Sequence, residues 1–516
     1  MIRRCLICAA TALAFAALCL SCTHKEEAAG KFIKLAGFEK GMKSLSFHPG
    51  NSSMDLRIAL NPAPDEVNPT DWCMRYVAGG GQSEFVWCDP YGRNFDFTAN
   101  PPIFRMKVLA PAPGIRVNMT LEPARLDGPI RPVTVRSERS AVGGRWETMI
   151  FDFREFAPES NVYSKIVIVF NVERSGIDQT WYFDEIEGPD DDLRPITLMR
   201  PYAGNPVFRP EGKNNWRDAH IANTGILTPE ESPTGLWMLY ARGSGNIPDY
   251  HDQIGLFTQD PADFHPFGPW KEYEGNPVIQ YTEGGWDDYL LLDTAPVVGP
   301  DGTLYIYYKG RNHQLSSNIG VAWSKDGGYH FEKPGRPWLS KPSGTTSAIY
   351  HDGKYWLFHG SRTYVSEDPL NGDNAEVVPG ILPGGAPSHF DDRVIWGTFV
   401  WRLKDVDKWF MSYQGSARHA DFPDRFHVAY SDDLVHWTKV QNLQPFYSRG
   451  SAGTWDQGGI WCPDVFEYKD SLYMYYEGWG IEGFVSDREE DYFSGHSSVG
   501  AASCSKADFL KWCGLE

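Results

Sequence analysis

The chain has 516 residues, with 48 Lys and Arg against 67 Asp and Glu and a formal charge of −19. Such a field repels phosphate backbones and excludes nucleic acid as a partner. The length is too great for one compact domain and sufficient for two with sizeable cores, and past residue 21 no apolar run reaches membrane-spanning length.

The chain opens "MIRRCLICAATALAFAALCLSC": two arginines, a long apolar run and a small residue before cysteine, the order of a secretory signal rather than a membrane span. Residues 1–21 resemble a bacterial lipoprotein signal peptide, Cys22 the lipidated cysteine that becomes the mature N-terminus, and 22–36 a tether whose Lys25, Glu26 and Glu27 are similar to a surface-export tag. The expectation is a lipid-anchored protein of the outer membrane, exposed at the cell surface and monomeric. Five cysteines follow Cys22. Export permits disulfides, so Cys73 with Cys88 and a pair among Cys462, Cys504 and Cys513 are candidates, with at least one thiol left free. No CxxC pair or Cys/His cluster has the spacing of a structural zinc site.

Residues 37–188 consist of short β-rich runs separated by Gly, Pro and Asn, among them "FRMKVLA", "IRVNMTLEP" and "KIVIVFNV". Alternation such as Ile115-Val117-Met119-Leu121 predicts a β-sandwich. The strand from Trp146 to Phe153 ("WETMIFDF") and the one from Tyr182 to Ile186 ("YFDEI") resemble those of the jelly-roll, galactose-binding-like modules attached to bacterial carbohydrate-active enzymes. Modules of that kind bind sugar or brace a catalytic domain, and no aromatic platform is evident here. The stretch from Gly188 to Pro195 breaks the β pattern with Gly, Pro and three acids, and residues 189–198 are read as a linker.

Residues 199–516 repeat one plan five times, an apolar strand, a turn and a strand rich in Tyr, Phe or Trp: "GILTPEESPTGLWMLYAR", "APVVGPDGTLYIYYKG", "SAIYHDGKYWLFHG", "GTFVWRLKDVDKWFMSYQG" and "PDVFEYKDSLYMYYEG". Outer strands ending in Ser, an acid and an aromatic follow most copies. Self-similarity at this spacing predicts a five-bladed β-propeller, so the expected fold is all-β: a sandwich followed by a propeller.

The motif Ser431 to Trp437 ("SDDLVHW") and the arrangement from Asp293 to Tyr307 resemble the five-bladed propeller glycoside hydrolases of the arabinanase/xylosidase and fructosidase superfamily. The resemblance implies an enzyme acting on a polysaccharide or glycan with two carboxyl groups flanking the scissile bond, one protonated to release the leaving group and one ionised to activate water if the reaction inverts. By the family pattern Asp218, just before the first inner strand, is the water-activating base. Asp293 is taken as the corresponding residue of the second blade and as the carboxylate that tunes the acid. Either could instead be a strand-edge acid bonded to backbone. The usual acids are missing: Thr345-Thr346-Ser347 stands where an arabinanase-like enzyme has Glu-Gly-Pro, and Trp461-Cys462-Pro463 where a fructosidase has Glu-Cys-Pro.

Second strands return to the face from which first strands start, so their ends point at the same opening. Those ends carry Arg242, Lys309 with Arg311, His359 with Arg362, Gln414 and Glu477. Glu477 is the one carboxylate among them and is assigned as the general acid, ahead of His359, His220 and Asp464; a salt bridge to a nearby arginine is the alternative. Arg242, Arg311 and Arg362 are read as equivalent blade ends suited to capturing an acidic sugar, or else as ion-pair partners of the carboxylates. Trp396 and Trp461 are candidate sugar-stacking platforms or core wedges.

The leading function is an exo-acting, inverting glycosidase. One alternative is a sialidase-like hydrolase, since Ser324 to Phe331 ("SKDGGYHF") fits the Asp-box turn of that family; the other is a catalytically silent glycan-binding lipoprotein. No cofactor is required. Calcium is common in such folds, but Asp190 to Asp192 reads as linker rather than an oxygen cage.

Overall fold

A computed structural model describes residues 32–39, 47–49, 55–78, 85–88, 95, 97–123, 129–138, 140, 142–160, 162–170, 179–189, 197–210, 215–245, 251–314, 316–340, 344–360, 362–379, 382, 394–416, 425–440, 442, 444–450, 455–456, 459–479 and 497–516. Cys22, residues 23–31 of the tether and Asp190 to Asp192 lie outside them, whereas the tether's last residues, Ile33–Ala36, form a strand of the first unit with Leu35 and Ala36 buried, so the sandwich begins before residue 37. The chain divides between Arg194 and Pro195 into two compact units, both built almost wholly of strands.

In the first unit β1 (Ile33–Ala36), β3 (Asp55–Leu60), β4 (Trp72–Ala78), β6 (Ile103–Leu109), β9 (Trp146–Asp152) and β11 (Gln179–Gly188) form one antiparallel sheet. A second sheet contains β2 (His48–Pro49), β5 (Val86–Cys88), β7 (Asn118–Pro123), β8 (Val133–Arg136) and β10 (Tyr163–Val169). Alternate residues of the two sheets share one core, including Phe104, Met106, Met119, Leu121, Ile166, Trp181 and Phe183. Each such side chain stabilises the unit by roughly 1.5–3 kcal/mol. Trp146 is buried and donates its indole N–H to Asn61 Oδ1 at 3.0 Å. The cysteine expectation fails here: Cys73 lies in β4 and Cys88 in β5, on different sheets, and neither is in a disulfide.

Among the described residues the second unit contains five antiparallel sheets. The first is β13 (His220–Leu227), β14 (Trp237–Ser244), β15 (Asp252–Gln259) and β16 (Lys271–Glu272); the second is β17 (Leu290–Val298), β18 (Leu304–Arg311) and β19 (Ser317–Ser324). The third is β20 (Ser347–His351), β21 (Lys354–His359), β22 (Arg362–Ser366) and β23 (Glu376–Pro379). The fourth comprises β24 (Val394–Leu403), β25 (Val406–Ser416), β26 (Arg425–Ser431), β27 (Thr438–Lys439) and β28 (Tyr447–Ser448). The fifth joins β29 (Gly459–Tyr468), β30 (Ser471–Trp479) and β31 (Ser497–Ser505) to β12 (Arg200–Pro201), so the start of the unit completes the sheet made by its end. The first strands β13, β17, β20, β24 and β29 touch in sequence, and β29 touches β13. The unit ends in α1 (Lys506–Cys513), whose Phe509 and Trp512 pack with Trp401 and Phe446. Cys462, Cys504 and Cys513 are free, so no disulfide forms among the late cysteines either.

Two local devices repeat between sheets. In the first, second and fifth, a tryptophan preceding the first strand lies on glycines of the next two: Trp216 on Gly243 and Gly255, Trp286 on Gly310 and Gly320, Trp455 on Gly478 and Gly500. The Ser324–Phe331 segment is a turn in which Asp326 Oδ1 accepts from the Tyr329 and His330 backbone N–H groups. Ser431 to Trp437 makes the same turn, with Asp433 Oδ1 accepting from Val435 and His436. Both acids are held below the usual carboxylate range, chiefly by hydrogen bonds that offset their desolvation. These motifs therefore close outer strands.

Candidate active site

Four of the five first strands carry a β-bulge at the same level. Two residues of the first strand oppose one of the second between Ala222 and Gly225, Leu292 and Ala295, Trp396 and Phe399, and Trp461 and Asp464. The leading bulge residues are Asn223, Asp293, Gly397 and Cys462, all with positive φ (43°, 60°, 51° and 55°). Gly, Asn and Asp tolerate this conformation, whereas Cys adopts it at a cost and needs surroundings that impose it. A bulge re-aims the side chain of its strand, and here it brings polar groups of different sheets together.

Asn223 is the hub. Its Nδ2 donates to Glu477 Oε2 at 2.7 Å and contacts Cys462 Sγ at 2.8 Å, joining the first sheet to the fifth. Thr294 Oγ1 of the second sheet donates to the Asn223 carbonyl. Gln414 Oε1 of the fourth accepts from the Cys462 N–H at 3.0 Å. Cys462 Sγ lies 4.0 Å from Asp293 Oδ1.

Glu477 is almost fully buried and its two oxygens are unequally used. Oε1 accepts from Trp479 Nε1 at 2.6 Å and from Arg242 at 3.2 Å, while Oε2 accepts from Asn223. Burial pushes the Glu477 carboxyl above its ordinary range, opposed by Arg242 and Trp479. Asp252, absent from the sequence expectations, lies behind this pair with no exposed surface. It meets Arg242 at 3.5 Å, accepts the Ser244 hydroxyl, and is pushed up to about 6 by burial against the pull of Arg242. Arg242 thus bridges two buried carboxyls. Asp293 is half-buried; burial raises it too, against Lys309, Arg242 and Arg311.

Several expectations change. Asp218 does not correspond to Asp293: the bulges align Asp293 with Asn223, and the shared Trp216/Trp286 pattern aligns Asp218 with Asp288. Asp218 is buried at the start of the first sheet. Arg242, Arg311 and Arg362 are not equivalent either. Arg242 faces Ala222 as Lys309 faces Leu292, Arg311 lies two residues further on beside Ser317, and Arg362 is an exposed residue opening the third strand of its sheet. His359 is pushed down to about 4 by burial and by Lys309 and Arg362, so it is neutral at pH 7. His220 is held by Ser497 at 3.1 Å and lies against Trp479. Trp461 neighbours Trp479 with ring centroids 5.7 Å apart, next to Glu477. Trp396 sits at the equivalent backbone position opposite Gln414, and its side chain lies outside the described residues.

Asp464 is elsewhere. Beyond the bulge it lines a cavity of about 800 Å³ walled by first strands of all five sheets, accepts from the Ile226 N–H at 3.0 Å, and is pushed up to about 8 by burial. Among the described residues no group of three or more His, Cys, Asp or Glu could hold a metal ion. No described helix is long and apolar enough to cross a membrane.

No family model matches the chain. Uncharacterized proteins of two Mycobacterium tuberculosis strains are 24% identical over 308 residues, covering 54% of this chain and 95% of theirs. Among solved structures, an N-acetylgalactosamine deacetylase from F. plautii, in complex with blood group B trisaccharide, aligns with 15% identity and a TM-score of 0.47 over 61% of this chain and 97% of its own. A glycosyl hydrolase from Bacteroides ovatus gives 14% and 0.42, covering 59% and 93%. A β-1,2-mannobiose phosphorylase from Listeria innocua gives 13% and 0.42, covering 62% and 99%.

Proposed function

We propose that the second unit is a five-bladed β-propeller carrying the active site of an exo-acting, inverting glycoside hydrolase, and that the first is a jelly-roll module. The observation that carries this is the convergence of Glu477 and Asp293 on one level of the ring, coupled through Asn223 and Cys462. Glu477 is the general acid: Oε1 is fixed by two donors, and Oε2, with one donor, has the remaining valence for a transferable proton. Asp293 is the carboxylate that takes a proton from water; burial raises it, and Lys309, Arg242 and Arg311 pull it toward the ionised form. A protonated and an ionised carboxyl are the pair of groups that glycosidic cleavage with inversion uses. Trp461 and Trp479 offer ring faces to the sugar beside the acid.

An acidic terminal sugar is favoured by Lys309 and Arg311, whose charges act on Asp293, whereas Arg242 is engaged by Glu477 and Asp252. Lipid anchoring at Cys22 on the outer membrane follows from residues 1–27. The test is product release from acidic and neutral glycans. Glu477→Gln and Asp293→Asn should each lower kcat by roughly 10²–10⁴-fold, and the first product, followed by NMR, should have the inverted anomeric configuration. A retained configuration, or full activity in either variant, overturns the assignment.

A further inference from the structure

Beside the candidate site, at the junction of the first and second sheets, lies a second cavity of about 670 Å³. Its residues come from one end of the strands: Asn215 and Trp216 before β13, Gly245 after β14, His251 and Gln253 at the start of β15, Tyr281, Glu283 and Asp288 before β17, and His313 after β18. Arg242 and Ser244 close β14 at that same end, and Lys309 and Arg311 close β18 there. The cavity therefore opens on the same face as Glu477 and Asp293.

Aromatic rings form one side of it. Tyr281 and His251 stack with centroids 4.0 Å apart at 12°, His251 meets His313 edge-on at 5.9 Å, and His313 stacks on Tyr289 at 4.8 Å. The His251 ring is placed by stacking: its buried Nδ1 has no hydrogen-bond partner among the described residues. Asn215 and Gln253 add amide groups, and Glu283 and Asp288 add carboxylates. Asp288 Oδ1 accepts the His313 backbone N–H at 3.3 Å. Rings that pack on C–H faces, together with amides and carboxylates that bind hydroxyls, suit a polyhydroxylated ring, and the volume is that of a small-ligand site. Two carboxylates with no Lys or Arg among the described lining residues disfavour an anion, in contrast to the Lys309 and Arg311 side of the neighbouring site.

We propose that this cavity is a second sugar subsite that takes a neutral unit of the chain whose end is processed at Glu477 and Asp293. This rests on the glycan reading of that site, and a binding measurement separates the two. Asp293→Asn protein, used to prevent turnover, is applied to an array of plant and host oligosaccharides of two to six units, neutral throughout or neutral behind an acidic terminal residue, with the monosaccharides matching each terminal residue. At least one series should bind about tenfold more tightly as oligosaccharide than as monosaccharide. Adding Tyr281→Ala or His251→Ala should reduce that ratio below about threefold, whereas Tyr281→Phe, which keeps the ring, should preserve it and show that the loss is not misfolding. If the ratio survives both alanine changes, or if no oligosaccharide of the array binds more tightly than its monosaccharide, the subsite is overturned. Failure of the hydrolase assignment would instead appear as chain-length-dependent binding without product release by the unmutated protein.

Discussion

Asn223 of the first sheet donates to Glu477 of the fifth at 2.7 Å, across the seam where the ring of sheets closes. The contact exists because both residues flank a bulge: Asn223 leads one, and Glu477 faces Trp461 at the edge of another. Ring closure and the state of the proposed acid are therefore coupled through one side chain.

Removing that amide should move the acid. A hydrogen bond to an ionised carboxylate stabilises the charged form, so Asn223→Ala should raise the Glu477 pKa further. A general acid must be protonated, and the alkaline limb of the pH–activity profile should shift upward by about one unit, the equivalent of roughly 1.4 kcal/mol. An unmoved limb would show that Glu477 is not the proton donor.

Arg242 holds two buried carboxyls, Glu477 and Asp252. Arg242→Ala leaves both without their cation, and breaking a buried pair costs about 3–5 kcal/mol. The expected outcome is a urea unfolding midpoint well below that of the parent, with Arg242→Lys restoring little because a single ammonium cannot reproduce the divided guanidinium contacts.

The hairpin repeats of the second unit were legible because each sheet buries residues from both faces and joins its strands by short turns, a pattern written directly in the apolar and Tyr-rich runs. Glu477 was legible as the carboxylate at a second-strand end. Bulges were not, since one extra residue leaves no mark in an alternating pattern; that is how Asp218 came to be paired with Asp293 in place of Asn223. A signal was present in the repeated segments "WRDAHIANT" and "WDDYLLLDT", which align Asn223 with Asp293 once their tryptophans are superimposed. Asp252 opens a third strand, where the second-strand logic did not look.

The tryptophan seams predict a stability effect away from the chemistry. A methyl group at Gly243 would lie 2.3 Å from Trp216 Cζ3, with Arg217 Cβ at 2.8 Å, and at Gly310 it would lie 2.3 Å from Trp286. Gly243→Ala and Gly310→Ala should each destabilise by about 1–3 kcal/mol through overpacking, measured by equilibrium unfolding. Gly235→Ala, at a turn with open space around it and a φ of +72°, serves as a contrast in which backbone strain acts without a clash.

Asp464 should make stability depend on pH with a sign opposite to that of a salt-bridged acid. Burial lifts its carboxyl to about 8, whereas unfolded aspartate titrates near 4. Below about pH 4 both states are protonated and the group contributes no pH dependence. Between about 4 and 8 the unfolded chain releases a proton that the folded chain keeps, so the unfolding free energy falls as pH rises, by at most about 1.4 kcal/mol per pH unit. Asp464→Asn keeps an acceptor for the Ile226 N–H and cannot ionise. Its unfolding free energy, followed by urea titration from pH 4.5 to 7.5, should therefore decline less steeply than that of the parent; equal slopes would mean that Asp464 is ionised in the folded protein and that its cavity admits enough water to solvate the charge.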